Sequence, residues 1–133
     1  MNLVDTNILV RFFTKDDPEK AERCKELLAK GKEGKIDLFI SDMVFAELVW
    51  VLEKVYLFHR EKIKGCLEAI LGTENLRFGN KNVLEETIFL YEKYNIDFID
   101  AYHSAFMRQK GFSSIYSYDT DFDKLSEIER REP

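Results

Sequence analysis

The feature that most constrains this chain is its alternation of short β-like runs with longer stretches of helical period. Strands that are separated by helices are joined by crossover connections, which favours parallel pairing within a sheet. The pattern therefore predicts an α/β fold, a three-layer α/β/α sandwich around a central parallel sheet of four to five strands. With 133 residues, the chain is expected to form a single domain over residues 1–133.

The boundaries of the predicted elements come from capping residues and from hydrophobic spacing. Asp17 followed by Pro18 is typical of a helix start, and Ser41 with Asp42 favours another. The predicted helices cover residues 6 onward, 18 to about 31, 42 to about 56, 60 to 71, 83 to 94 and 97 to about 111. The predicted strands cover residues 1–4, 36–40, 75–78, 113–118 and 128–131.

The composition argues against several classes of protein. Hydrophobic residues make up 45% of the chain and charged residues 34%, which is typical of a globular domain rather than of a disordered or membrane protein. No apolar run reaches the roughly 18 residues that a membrane-spanning helix needs. Asp5 also interrupts the first apolar run before a signal-peptide core could form, so a cytoplasmic location without membrane association is expected.

The net charge of −5 argues against binding nucleic acid through a broad basic surface. This objection weakens where acids gather around divalent cations, because the ions invert the local field. The two histidines and two cysteines are too few and too scattered for a zinc site.

Asp5 ends the first apolar run and admits two interpretations. It follows the predicted strand over residues 1–4 and precedes Ile8, where apolar residues resume. As an N-cap of the helix that starts at Thr6, its carboxylate would accept a backbone N–H two or three residues on. At the carboxyl end of a parallel strand, it would instead lie where open α/β sheets place their ligands. Position alone does not choose between the two.

Glu47 is the only charged residue between Asp42 and Glu53, in a stretch that is apolar on all sides of the predicted helix. The sequence therefore predicts a largely buried carboxylate with the apolar neighbours Met43, Ala46, Trp50 and Val51. An ionised carboxylate in such surroundings costs several kcal/mol unless a cation or a hydrogen-bond donor meets it. The alternative is a side chain that reaches solvent from the first turns of the helix.

Two acids, Asp97 and Asp100, open the helix that is predicted in the segment NIDFIDAYHSAFMRQKGF. They share a polar face with Ala101 and Ser104, whose small side chains would leave room for a ligand. The alternative is structural, with Asp97 as the N-cap and Asp100 in the first turn, where the helix dipole favours an acid. The spacing favours neither interpretation.

The segment SIYSYDTDFDKL places acids at alternate positions, Asp119, Asp121 and Asp123. An EF-hand loop is excluded, because Lys124 stands where such a loop needs glycine and Arg130 where it needs glutamate. Asp119 directly follows a predicted strand, and Asp121 is placed to cap the turn that comes next.

These acids are expected to converge, because the carboxyl ends of parallel strands meet at one edge of a sheet. Converging carboxylates with few basic partners would repel one another at neutral pH. Mg²⁺ or Mn²⁺ relieves that repulsion, since hard divalent ions prefer carboxylate and water ligands. The sequence therefore predicts a magnesium or manganese site that includes Asp5.

This pattern resembles the PIN-domain nucleases over essentially the whole chain, and most closely the VapC-type toxin ribonucleases of toxin–antitoxin pairs. The matching motifs are Asp5-Thr6-Asn7 after the first strand, Glu47 in SDMVFAEL, Asp100 in DFIDAYHSA and Asp119 in SYDTDF. The resemblance implies a PIN-like fold, a homodimer, a small antitoxin partner and RNA cleavage that depends on Mg²⁺ or Mn²⁺.

Residue roles follow from the same resemblance, motif by motif. The catalytic and metal-binding acids would be Asp5, Glu47, Asp100 and Asp119. Polar support would come from Thr6, Asn7 and Ser117, of which Ser117 stands where the family often has threonine.

Two further acids compete for the ligand positions. Asp97 competes with Asp100, and Asp121 competes with Asp119. The competing acids could instead hydrogen-bond to the direct ligands or bind the ion through a water molecule. Asp100 is favoured by the Ala-Tyr-x-x-Ala that follows it, and Asp119 by its place directly after the strand.

The expected chemistry is in-line hydrolysis of a phosphodiester, in which one or two divalent ions stabilise the attacking and leaving oxygens. The carboxylates would hold the ions, and none of them needs to be the general base. The candidates to hold RNA phosphates are Arg11, Lys15, Arg108 and Lys110. The alternative for each of them is an ordinary solvated surface charge.

Other functions stay open at this point. A non-catalytic metal-binding subunit with a PIN-like fold could act through partner association, and an RNA-processing nuclease could be unrelated to toxin–antitoxin systems. Aspartate-based phosphotransfer fits less well. A haloacid-dehalogenase-like enzyme needs an acid where Asn7 stands, and a receiver-like domain needs a lysine in the segment SIYSYD.

The helix over residues 43–52 carries more apolar surface than one sheet face can cover, with Phe45 and Trp50 on different sides. A homodimer that uses this helix and the next is therefore predicted, and the alternative is burial of these side chains in the core of one subunit. Three apolar residues lie close by, namely Tyr56, Leu57 and Phe58.

Overall fold

The computed structural model describes residues 1–133, which form two compact units, Met1–Lys81 and Asn82–Pro133. The first unit contains β1 (Asn2–Leu3), α1 (Thr6–Thr14), α2 (Pro18–Lys32), β2 (Leu38–Ile40), α3 (Asp42–Lys54), α4 (Arg60–Leu71) and β3 (Arg77–Phe78). Its strands pair in parallel in the order β1-β2-β3. Two helices separate each strand from the next along the chain, as parallel pairing requires.

Local capping explains where the helices of the first unit begin. Asp17 accepts the backbone N–H of Lys20 at 3.1 Å at the start of α2, and Ser41 accepts that of Val44 at 3.4 Å at the start of α3. Because Ser41 directly follows Ile40, the cap that starts α3 also ends β2. The strands are consequently short.

The core of the first unit lies under one face of α3. The residues that α3 buries are Val44, Phe45, Leu48, Val49 and Leu52. The ring of Phe45 packs edge-to-face on that of Phe78 of β3, with ring centroids 5.9 Å apart. Met43, Glu47 and Trp50, on another side of α3, are exposed.

The second unit contains α5 (Lys81–Lys93), which begins at the unit boundary, α6 (Phe98–Lys110), β4 (Ser114–Tyr116), a short 3₁₀ helix (Thr120–Lys124) and β5 (Glu129–Arg131). β4 and β5 pair in parallel, with Ile115 opposite Arg130. α6 ends at Gly111, whose φ of 82° suits glycine. The 3₁₀ helix therefore lies on the connection between two paired strands.

The α/β class and the parallel pairing are confirmed. The five strands divide into a sheet of three and a sheet of two, where one sheet of four to five was predicted. The strands are two or three residues long, shorter than the apolar runs that predicted them. No helix is long and apolar enough to cross a membrane. The single-domain assignment stays a prediction.

Candidate metal centre

Three carboxylates of the second unit come together. Asp100, Asp119 and Asp121 each offer one oxygen, and these oxygens all lie within 4.8 Å of one another. Asp100 lies in the first turn of α6, Asp119 is the N-cap of the 3₁₀ helix and Asp121 lies in its first turn. The structure thus brings Asp100 close to both Asp119 and Asp121, the two acids between which the sequence left the ligand role after β4 open.

Side-chain hydrogen bonds order the loop that carries two of these acids. Ser117 Oγ accepts the backbone N–H of Asp119 at 2.9 Å, and Asp119 Oδ1 accepts the backbone N–H of Asp121 at 2.9 Å. Short polar side chains commonly bond to the backbone two residues on in this way. Ser117 therefore supports Asp119 through its backbone.

The three acids perturb one another's protonation. The pKa of Asp100 is raised to about 6, first by burial, then by its hydrogen bond to Asp119 and by the charges of Asp119, Asp97 and Asp121. The pKa of Asp119 is lowered, first by the backbone N–H of Asp121 and then by the hydrogen bond from Asp100. Above about pH 6, Asp100 is thus ionised beside other acids, which favours a bound cation.

The donor set of this group fits a hard divalent cation. Its atoms are all carboxylate oxygens, the ligands that Mg²⁺ and Mn²⁺ prefer over nitrogen or sulfur. Lys124 Nζ lies 3.1 Å from Asp121 Oδ1, so Asp121 already has a cationic partner. A cation that bound Asp121 would have to compete with Lys124, so Asp100 and Asp119 are the better candidates for direct ligands.

In the first unit, Asp5 is the N-cap of α1. Its Oδ1 accepts the backbone N–H of Thr6 at 2.8 Å, so the capping interpretation is confirmed. This bond leaves the other carboxylate oxygen available, because capping occupies only Oδ1. The cap and a ligand role are therefore compatible.

A shallow pocket of about 230 Å³ holds four other candidate site residues of the first unit. Thr6, Asn7, Arg11 and Glu47 line it, together with Asp16 and Tyr56. Tyr56 Oη donates to Asp16 Oδ2 at 2.6 Å, and Arg11 Nη1 donates to Asp16 Oδ1 at 3.0 Å. Asp16 thereby holds Arg11 at the rim of the pocket.

The prediction that Glu47 is largely buried is wrong. Glu47 is exposed, and its neighbours on the same face of α3 are open too, with Met43 77% and Trp50 58% exposed. The residues that α3 buries lie on another face of the helix, which packs against α1 and α4, so an apolar sequence all round did not mean burial all round. The alternative of a solvent-reaching Glu47 is confirmed.

Two expectations about α6 also need correction. Ala101 and Ser104 are 0% and 2% exposed, so both pack in the core and do not form an open polar face, although Ser104 lines a cavity of about 470 Å³. Ser104 Oγ donates to the carbonyl of Asp100 at 2.8 Å, within the helix. Asp97 occupies the N-cap position, but its side chain makes no capping hydrogen bond. Asp97 acts on the acidic group through its charge.

Of the four basic residues singled out as phosphate contacts, two have acidic partners. Arg108 lies 3.1 Å from Glu86 and 3.7 Å from Glu127, and Arg11 pairs with Asp16. Lys15 and Lys110 are exposed. A phosphate that reached Arg11 or Arg108 would therefore share the guanidinium with a carboxylate.

Sequence reasoning missed the roles of Asp16 and Arg130. Asp16 bonds to Tyr56 across 40 positions of the chain, and Arg130 bonds to Ser117 and Asp123 across 13 and 7 positions. Residues this far apart are not related by the period of a helix or a strand, so the sequence pattern does not predict these contacts. The only signal in the sequence is the number of charged residues near the acidic motifs.

Comparison with known proteins identifies the family of this chain. The model of the PIN-domain family matches residues 3–128. The chain is also 31% identical over 125 residues to a VapC ribonuclease of Aquifex aeolicus (strain VF5), an alignment that covers 94% of this chain and 92% of the relative. The family match extends through parts of both units and includes all the acidic motifs. The chain therefore belongs to the PIN-domain family and, within it, is VapC-like.

Proposed function

We propose that this protein is a metal-dependent endoribonuclease that hydrolyses RNA phosphodiester bonds with Mg²⁺ or Mn²⁺, as the toxin of a toxin–antitoxin pair. The observation that carries the proposal is the group formed by Asp100, Asp119 and Asp121 in a chain of this family. The name of the relative, a VapC ribonuclease, supports RNA as the substrate.

Within this proposal, Asp100 and Asp119 hold the ion directly. Asp5 and Glu47 are required acids of the same reaction, a role that rests on their motifs. Residues in supporting or alternative ligand roles are Thr6, Asn7, Asp97, Ser117 and Asp121. The phosphate contacts are Arg11, Lys15, Arg108 and Lys110.

A bound divalent ion supplies electrostatic stabilisation to the phosphodiester oxygens that gain charge during hydrolysis. Asp100 must first lose its proton, because a carboxylate binds a cation and the neutral acid does not. The bond from the Asp121 N–H keeps Asp119 oriented while it is ionised. Arg11 and Arg108 hold the RNA backbone through charge-assisted hydrogen bonds to phosphate oxygens.

The proposal extends to organisation and partners. The chain acts as a single PIN domain in the cytoplasm, forms a homodimer and is neutralised by a small antitoxin protein. The exposed apolar side chains of α3 support the homodimer. Growth arrest on expression, relieved by the small protein of a neighbouring reading frame, would separate a toxin from an RNA-processing nuclease.

The direct test is cleavage of single-stranded RNA in Mn²⁺ by the matched pair Asp100→Asn and Asp97→Asn. Both changes remove one charge at the start of α6, but only Asp100 belongs to the group of three carboxylates. We expect Asp100→Asn to lower cleavage by orders of magnitude, and Asp97→Asn to retain most of it. Equal losses in both variants would contradict the assignment. A wild-type protein without chelator-sensitive cleavage would favour a binding subunit.

Glu47→Gln gives an independent test in the first unit. Because Glu47 is exposed, we expect this change to leave the melting temperature of the metal-free protein unchanged. Cleavage should nevertheless fall by orders of magnitude if Glu47 is one of the acids of the reaction. Glu53→Gln, on the same helix, serves as the control. Full activity of Glu47→Gln would remove Glu47 from the proposed site.

A further inference from the structure

Arg130 has an unusual set of partners for a residue outside the family's acidic motifs. It lies on β5, and its side chain is only 16% exposed. Nε and Nη2 bind both carboxylate oxygens of Asp123, at 3.0 and 3.3 Å. Nη1 donates to the carbonyl of Ser117 at 3.1 Å and to Glu132 at 2.9 Å. All three nitrogens of the guanidinium therefore donate hydrogen bonds.

These partners bracket the loop that carries two of the acids. Ser117 precedes Asp119 by two residues, and Asp123 follows Asp121 by two residues. One planar guanidinium therefore ties both ends of the loop to the same strand. A bidentate arginine–carboxylate pair fixes orientation as well as distance, which a lysine does not.

The bonds inside the loop are local, and the contacts of Arg130 hold the chain on either side of them. The contact of Asp119 with Asp121 is a local hydrogen bond in an exposed turn, as is that of Ser117 with Asp119. Local bonds of this kind compete with water, so they hold one geometry only where the surrounding chain is fixed. Arg130 is the side chain that supplies this fixation at both ends.

We propose that Arg130 is a positioning residue, which orders the 117–123 loop so that Asp119 and Asp121 face Asp100 before a divalent cation binds. This role rests on the proposed function, since it concerns the same acids. Arg130 does not touch the cation or the RNA. It acts through Ser117 and Asp123, and its loss leaves the carboxylates present but free to turn away.

Loss of the charge of Arg130 and loss of its positioning role predict opposite effects on the binding of Mn²⁺, so the proposal can be tested. Arg130→Gln removes a positive charge near an acidic group, so electrostatics alone would tighten the binding of Mn²⁺. Loss of positioning would instead weaken it, by about 10- to 100-fold, as is typical of residues that orient metal ligands. Arg131→Gln is the matched control, because it removes the same charge one residue away, where the Arg131 side chain pairs with Glu129 and hydrogen-bonds to Tyr116 and has no contact with Asp123.

The experiment is titration of the full-length, metal-free variants with Mn²⁺ by calorimetry, together with melting temperatures and RNA cleavage across Mn²⁺ concentrations. We expect Arg130→Gln to bind Mn²⁺ more weakly and to recover cleavage at high Mn²⁺, while Arg131→Gln matches the wild type. Arg130→Lys keeps the charge and should remain impaired. If Arg130→Gln does not fold, Arg130→Lys replaces it as the test of the positioning role.

Three results would overturn the role of Arg130. One is unchanged or tighter Mn²⁺ binding by folded Arg130→Gln, another is full rescue by Arg130→Lys, and the third is an equal loss in Arg131→Gln. A wild-type protein that binds no Mn²⁺ would overturn the proposed function as well. Tight binding and cleavage by the wild type, with no effect of Arg130→Gln, would overturn the positioning role alone.

Discussion

The carboxyl group of Asp100 lies where burial and neighbouring acids both favour its neutral form. Its pKa is raised to about 6, with burial as the largest cause and Asp119 as the next. At neutral pH in the absence of metal, an ionised Asp100 faces Asp119 and Asp121 at close range. The folded protein tolerates this repulsion, and a bound cation relieves it.

Replacing Asp100 with asparagine should therefore stabilise the metal-free protein at neutral pH. The pKa of Asp100 rises from an ordinary value of 3.8 to about 6 on folding, so between these values the folded state binds more protons than the unfolded state. The free energy of unfolding of the wild type consequently falls as the pH rises through this window. Asp100→Asn avoids that loss, and its amide can still donate to Asp119.

Thermal unfolding in chelator measures this effect. The melting temperature of Asp100→Asn should exceed that of the wild type above about pH 6, and the two should converge near pH 3.8. Glu74→Gln, which neutralises an exposed acid, controls for net charge. A variant that melts below the wild type at neutral pH would contradict the repulsion that we infer at this group.

At the scale of elements, the start of α1 carries one side chain with an observed task and a proposed one. Asp5 caps the helix through Thr6, and we propose that it is also an acid of the metal site. Asparagine and aspartate are about equally good N-caps, whereas alanine is a poor one. The two tasks can therefore be separated by choosing the substitution.

Asp5→Asn should keep the melting temperature of the metal-free protein, while Asp5→Ala should lose about 1 kcal/mol of stability with the cap. Millimolar Mn²⁺ should raise the melting temperature of the wild type by mass action. Both variants should show a smaller rise, because neither retains the charge. The measurement is thermal unfolding with Mn²⁺ and with chelator. If Mn²⁺ raised the melting temperature of Asp5→Asn as much as that of the wild type, Asp5 would have only the capping role.

At the scale of the whole molecule, the exposed apolar side chains of the first unit are concentrated on and just after α3. Met43, Trp50 and Leu57 are 77%, 58% and 75% exposed. Large apolar groups that cluster on an otherwise charged surface are typical of association sites. The surface formed by these three residues is the one we expect a second copy of the chain to cover.

Light scattering at tens of micromolar protein tests this homodimer. The wild type should show the mass of a dimer, and the double variant Met43→Ser/Trp50→Ser should shift to the monomer, since it loses the centre of the apolar surface. Phe89→Ser, on α5, changes a side chain of comparable exposure, 50%, and should leave the dimer intact. A monomeric wild type at this concentration would reject the prediction.

The sequence by itself determined the elements and their order. The helix over Arg60–Leu71 was predicted with both its ends, and Asp17, Ser41 and Gly111 marked the helix termini that the structure has. These features are predictable because a cap or a glycine turn depends on a few consecutive residues. The order of the acidic motifs along the chain likewise identified the family before any contact was known.

Only the tertiary structure decided which side chains face one another. Glu47 is exposed because α3 packs through another face, and an apolar helix does not reveal by its spacing which face that is. Asp100 joins Asp119 and Asp121, and Arg130 reaches Ser117 and Asp123, through the packing of α6 and β5 around one loop. Contacts between residues far apart in sequence depend on the direction of whole elements, which local chemistry does not specify.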